Sequence, residues 1–104
     1  NYFLNKINLI IEENISRENF TVDILAEEIG FSRSQLHRKL KQISNQSATE
    51  YINMVKIKKA TALLASKNYN VDEVAFKVGF NSHSYFSKCF KDEFGVYPSD
   101  YDQN

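Results

Sequence analysis

Apolar residues recur every three or four positions along this chain, and no stretch alternates with the period of two that a half-buried strand requires. Phe3, Leu4, Ile7, Ile10 and Ile11 fall at helical spacing, predicting an amphipathic helix from Tyr2 to about Ser16 with Glu12, Glu13 and Asn14 facing water. Asn19-Phe20-Thr21 reads as a loop, with Thr21 as N-cap of a helix over 22–29. Gly30 ends that helix by entering the left-handed region. Ser32 caps the next helix, roughly 33–43, whose Leu36, Leu40 and Ile43 face inward. Ser44-Asn45-Gln46-Ser47 is a polar break. The stretch 48–67 then runs without Gly or Pro for about five turns. Its Ile52, Val55, Ala60, Leu63 and Leu64 predict one wide apolar face, with Asn53, Lys56, Lys58 and Lys59 on the remainder. After residues 67–70 a helix over 71–78 follows, then Gly79, a cap at Asn81 or Ser82 and a helix to about Glu93. Gly95 and Pro98 punctuate the end, and 98–102 form a last turn. The expected fold is all-α with about seven helices. Tyr85, Phe86, Phe90 and Phe94 are assigned to its core, and Cys89, between apolar neighbours, reads as a half-buried structural thiol.

Two parts of this pattern are copies of each other. Val22-Asp23-Ile24-Leu25-Ala26-Glu27-Glu28-Ile29-Gly30-Phe31 aligns with Val71-Asp72-Glu73-Val74-Ala75-Phe76-Lys77-Val78-Gly79-Phe80 at an offset of 49. Val, Asp, Ala, Gly and Phe match identically. Past the Phe the offset becomes 50, pairing Leu36 with Phe86, Arg38 with Lys88, Leu40 with Phe90, Lys41 with Lys91 and Tyr51 with Tyr101. Two copies are too few for a solenoid, so the reading is a duplicated supersecondary unit joined by one helix. The expected division is 1–47 and 68–104 as helix-turn-helix subdomains, with 48–67 as the linker helix. A small residue at Ala26 or Ala75 lets two helices cross closely, and the Gly four residues later permits the sharp turn between them. The second helix of each pair then projects a polar face suited to a DNA major groove.

Charge first opposes that reading and then supports it. The 104 residues carry 13 basic and 13 acidic side chains. Residues 32–67, however, hold 8 basic residues (Arg33, Arg38, Lys39, Lys41, Lys56, Lys58, Lys59 and Lys67) against Glu50 alone, so a neutral total hides a basic segment. Lys56, Lys58 and Lys59 are read as solubilising. The 2 His and 1 Cys provide no closed set of zinc ligands, and no Walker-type loop or nucleophile elbow is present, so neither an enzyme nor a metal or cofactor site is expected. A lone Cys and the lack of a signal peptide or membrane-length apolar run point to the cytoplasm. The chain starts at Asn1 without Met and reads as part of a longer protein. With no zipper-like seam it is expected to be monomeric. The alternative function is a helical protein-interaction module that keeps this scaffold without binding DNA.

The segment from Val71 to Tyr101, with Val-Ala-x-x-Val-Gly-Phe followed by Ser-Tyr-Phe-Ser-Lys-x-Phe-Lys-x-x-Phe-Gly-Val-x-Pro-Ser-x-Tyr, resembles the signature of the AraC/XylS family of bacterial transcription regulators. The resemblance extends back to about Phe3, and its N-terminal part is similar to the output domain of hybrid two-component sensors. It implies double-stranded DNA and RNA polymerase as partners, activation as the favoured mode, and sensor or receiver domains elsewhere in the full protein. A hybrid sensor would be membrane-anchored as a whole, without membrane contact by this segment. Asn45 stands where a Gly is usual, Ala48 where a Pro is usual, and Lys56 replaces a frequent Arg. Asn tolerates the left-handed conformation, which makes the first change mild. Carried over residue by residue, the resemblance places Ser34, His37 and Arg38 on the base-reading face of the first unit and His83, Ser84 and Lys88 on that of the second. Arg33, Lys41, Ser82 and Lys91 are assigned to phosphates.

Overall fold

The computed structural model describes residues 1–17 and 19–101. Among them are six α-helices and no strand: α1 (Tyr2–Glu13), α2 (Val22–Ile29), α3 (Arg33–Ser44), α4 (Ala48–Ser66), α5 (Val71–Lys77) and α6 (His83–Phe94). The seventh helical segment is a single 3₁₀ turn, Pro98–Asp100. The rest of the expected last turn, at 102, lies outside the described residues.

Each helix starts where a side-chain oxygen can accept an otherwise orphaned N–H. Asn1, Thr21, Ser32, Ser47, Asn70 and Ser82 fill that role, and Ser32, Ser47 and Asn70 form reciprocal capping boxes with Gln35, Glu50 and Glu73. The repeat is visible in the backbone. Phe31 N–H donates to Ala26 O and Phe80 N–H to Ala75 O, each at 2.9 Å, closing α2 and α5 in the same way. Asn45 (φ 61°) and Gly95 (φ 79°) then end α3 and α6 in the left-handed region, so the Asn at the usual Gly position keeps the turn of its repeat partner. Helix α1 is shorter than the spacing suggests. Asn14 ends it by donating its side-chain amide to Ile10 O at 2.8 Å and accepting from Arg17 Nη1 at 2.7 Å.

Buried residues form two clusters. Ile7, Ile11, Phe20, Leu25, Ala26, Leu36 and Leu40 gather on the N-terminal half of α4, against Ala48, Tyr51 and Ile52. Val74, Ala75, Val78, Phe80, Phe86 and Phe90 gather on its C-terminal half, against Ile57, Ala60 and Leu64. At 100° per residue these two sets of α4 positions point on the order of 150° apart. The single wide face expected from sequence is therefore two faces. Tyr51 and Ile57 are buried, whereas Val55 and Leu63 are only half-buried. Tyr51 also donates its hydroxyl to Asn8 Oδ1 at 2.7 Å, tying α4 to α1.

Three other assignments change. Ile43 is 36% exposed because it lies in the last turn of α3, beyond the stretch that Leu36 and Leu40 anchor. Tyr85 is 46% exposed, with its hydroxyl accepting from Asn53 Nδ2 at 2.8 Å instead of entering the core. Lys56, read as solvated, is buried, and its Nζ donates to Gly79 O at 3.3 Å. Cys89 is half-buried as expected, and burial pushes its thiol above the usual range.

The two turn glycines are not equivalent. Gly30 (φ 82°) has open space where a Cβ would project. At Gly79 (φ 92°) a Cβ would stand 2.2 Å from the carbonyl oxygen of Ile15. Gly30→Ala should thus cost only the left-handed strain, about 1–2 kcal/mol. Gly79→Ala should cost clearly more, because backbone must also move. Urea unfolding of the two variants measures the difference, and equal losses would contradict the close approach.

Candidate nucleic-acid interface

Helices α3 and α6 present matching stripes. On α3, Arg33, Ser34, His37, Arg38, Lys41 and Gln42 line one shallow concavity. On α6, His83, Ser84, Ser87, Lys88, Lys91 and Asp92 line another, closed at its far side by Tyr97, Pro98 and Ser99. The six α6 positions are the six α3 positions displaced by 50. Spacings of one, four, five, eight and nine from the first residue keep them on one side of a helix. Nine of the ten residues singled out from sequence lie on these stripes. The tenth, Ser82, sits at the head of α6, where its Oγ accepts from Tyr85 N–H at 3.2 Å and its own O–H can still donate. Gln42, Ser87 and Asp92 were not singled out. The offset of 50 would have found Ser87 by carrying His37 onto it, whereas Gln42 and Asp92 correspond only to each other and follow from their place one turn beyond Arg38 and Lys88.

The same register makes His83 the equivalent of Arg33. Both are first residues of their helices, and both reach back to the equivalent carboxylate of the preceding helix. Arg33 Nη1 donates to Asp23 Oδ1 at 3.0 Å, and His83 Nδ1 contacts Asp72 Oδ1. His37 instead sits near the start of α4, where its Nδ1 accepts from Ala48 N–H at a long 3.5 Å. A Pro at position 48 would have no such N–H.

Basic residues divide more finely than the count of eight suggested. Lys56 is buried, Lys59 pairs with Glu12 at 2.6 Å, and Lys39 lies over the Phe3 ring with Nζ 5.0 Å from its centroid. Arg33, Arg38 and Lys41 remain on the outer face of α3. Arg38 makes no hydrogen bond or ion pair among the described residues, because its neighbour one turn on is the neutral Gln42. Its counterpart Lys88 donates to Asp92 Oδ2 at 3.1 Å, and that bond raises the lysine above its ordinary range. Lys41 and Lys91 also differ, the first donating to Asn45 O at 3.3 Å and the second lying 4.3 Å from the Tyr97 ring centroid. The α3 stripe is thus the more strongly cationic of the two.

Residues 25–104 match the family described as helix-turn-helix domain. The chain belongs to the AraC-type helix-turn-helix family. It is 38% identical over 98 residues to histidine kinase P4 of Formosa agariphila, a match spanning 94% of this chain and 7% of that protein. The C-terminal domain of the two-component response regulator yesN from Fusobacterium nucleatum superposes with a TM-score of 0.84 at 27% identity, over 99% of this chain and all of that one. The DNA-binding domain of AdpA, solved in complex with a target DNA, superposes with a TM-score of 0.82 at 26% identity, over 94% and 87% of the two chains.

The contrast between the stripes of this AraC-type domain is testable without a known DNA site. Asp92→Asn should release Lys88 and delay elution from a heparin column, while Gln42→Glu should give Arg38 an acidic neighbour and hasten it. Unchanged elution of both variants would contradict the description of Arg38 as open and Lys88 as tethered.

Proposed function

We infer that this chain is a sequence-specific DNA-binding domain of a bacterial transcription regulator, placing α3 and α6 in successive major grooves of an asymmetric site. The observation that carries the reading is the repeated six-residue stripe, displayed by two copies of one unit on a shared helix. With 19 residues α4 is roughly 28 Å long. The domain measures 40 Å along its longest axis, close to the roughly 34 Å of one DNA turn. The DNA complex of the AdpA domain supports the same partner. Two separate cores support the division into reading units at 1–47 and 68–104 carried on 48–67.

Within this reading Arg38 and Lys88 face guanine edges, flanked by Ser34, His37, Ser84 and Ser87 as less discriminating donors and acceptors. Arg33 and His83, at equivalent places, together with Lys41, Lys91 and Ser82, lie toward phosphates at the helix starts and ends. The likeness to part of a histidine kinase and to a response-regulator domain supports a larger protein in which a sensing segment governs this one. Contact with RNA polymerase in the cytoplasm completes the proposal.

A gel shift against promoter fragments at two salt concentrations is the first test. With three to five phosphates contacted, log affinity should fall against log salt with a slope of roughly −3 to −5. A flat response would favour the protein-interaction module instead. Arg38→Ala should lose about 1–3 kcal/mol on the selected site and relax preference at one or two base pairs. Lys41→Ala should weaken all sequences alike. One Ala inserted between Asn53 and Met54 turns the second unit by about 100°. Provided circular dichroism shows a folded variant, its affinity should fall to that of a half-site.

A further inference from the structure

Helix α4 changes its buried face between Ile52 and Ile57, and Asn53 and Lys56 stand in the turn where the change occurs. Neither belongs to an apolar core, yet each reaches the second unit. Lys56 is 7% exposed, donates to Gly79 O at 3.3 Å and lies 5.6 Å from the Phe80 ring centroid. Gly79 has two close neighbours where a side chain would project. A Cβ there would be 3.2 Å from Lys56 Cε and Nζ and 2.2 Å from the Ile15 carbonyl, which belongs to the chain leaving α1. The α5–α6 turn therefore lies close against both the linker helix and the chain leaving α1. One turn along the chain, Asn53 Nδ2 donates to the hydroxyl of Tyr85, in the first turn of α6, at 2.8 Å. The Tyr85 ring in turn packs on Phe80 at 5.8 Å.

The first unit is attached to α4 differently: Tyr51 donates to Asn8 of α1, and no α4 side chain hydrogen-bonds to the α2–α3 turn among the described residues. Gly30 faces open space, and Gln35, the equivalent of Tyr85, is used in the capping box with Ser32. Beyond apolar packing, the first reading helix meets α4 through the long 3.5 Å contact of His37 Nδ1 with Ala48 N–H, while the second unit is held by Lys56 at Gly79, in the turn before α6, and by Asn53 at Tyr85 on α6 itself. Apolar packing is nondirectional and tolerates small rotations. A buried ammonium on a single carbonyl does not, because losing that acceptor leaves it unpaired in a desolvated site.

We propose that Lys56 and Asn53 are positioning residues that set the rotation of α6 relative to α3, and with it the half-site spacing the domain accepts. This rests on the DNA-reading function proposed above. Neither side chain lies on a reading stripe, so their effect is on the relation between the two stripes.

Two experiments separate this proposal from the reading it rests on. The first needs no DNA. Spin labels attached through Gln42→Cys and Asp92→Cys, in a Cys89→Ser background, report the distance between α3 and α6. The parent should give one narrow distribution, Lys56→Met a broad one, and Lys56→Arg, which keeps a donor, a narrow one. The second uses duplexes selected from a random library by the parent domain, with the centre-to-centre separation of the half-sites varied from about 9 to 12 base pairs, around one helical turn. Lys56→Met should flatten the spacing preference and lose roughly tenfold on the best full site, with half-site affinity unchanged. If Lys56→Met does not fold, the pair Asn53→Ala and Tyr85→Phe takes its place in both measurements. A narrow distance distribution in the chosen variant, or an unaltered spacing optimum, would overturn the proposal. Failure of the parent to select any sequence would instead overturn the DNA reading, and the spin-label result would still decide whether Lys56 fixes α6.

Discussion

Everything in this domain depends on one helix serving as a wall for two cores. The segments before and after α4 are each short enough that an independent apolar core would be marginal, since small chains bury too little of their surface. Helix α4 resolves this by giving Ala48, Tyr51 and Ile52 to one cluster and Ile57, Ala60 and Leu64 to the other. Because those positions point in nearly opposite directions, the halves pack on different sides of a single rod. Their reading helices are consequently held at a distance that the length of the rod sets.

The two units share one scaffold and differ in the side chains mounted on it. The backbone closures at Phe31 and Phe80, the serine caps at Ser32 and Ser82, and the left-handed ends at Asn45 and Gly95 are alike. Polar contacts are not. Arg33 corresponds to His83, Gln42 to Asp92, and the open space at Gly30 to a close approach to Ile15 at Gly79. Interactions that form the turn are local and are set by residue types a few positions apart. Of the differences, the pairing of Lys88 with Asp92 is also local, whereas the close approach of Gly79 to Ile15 comes from the packing of one unit against the rest. An asymmetric pair of stripes suits an asymmetric target.

The all-α class, the repeat, the caps at Thr21 and Ser32, and the spacing that puts Ser34, His37, Arg38 and Lys41 on one side of α3 were all determined by the sequence itself. Each follows from local periodicity or from a residue whose backbone preference is strong, and neither depends on what lies across the fold. Only the tertiary structure decided the fate of Lys56, Tyr85 and Ile43. A lysine among lysines looks solvated until a carbonyl from the α5–α6 turn is found beside it. An aromatic in an aromatic run looks buried until α4 offers Tyr85 a hydrogen-bonding partner at the surface. The basic segment likewise looked larger than the face it provides, because Glu12 and the Phe3 ring that engage Lys59 and Lys39 come from α1, far away in the chain. Periodicity assigns a side chain to a face of its own helix. Whether that face meets water, a ring or a carbonyl depends on which distant backbone passes it, and that was settled only when both halves closed on α4.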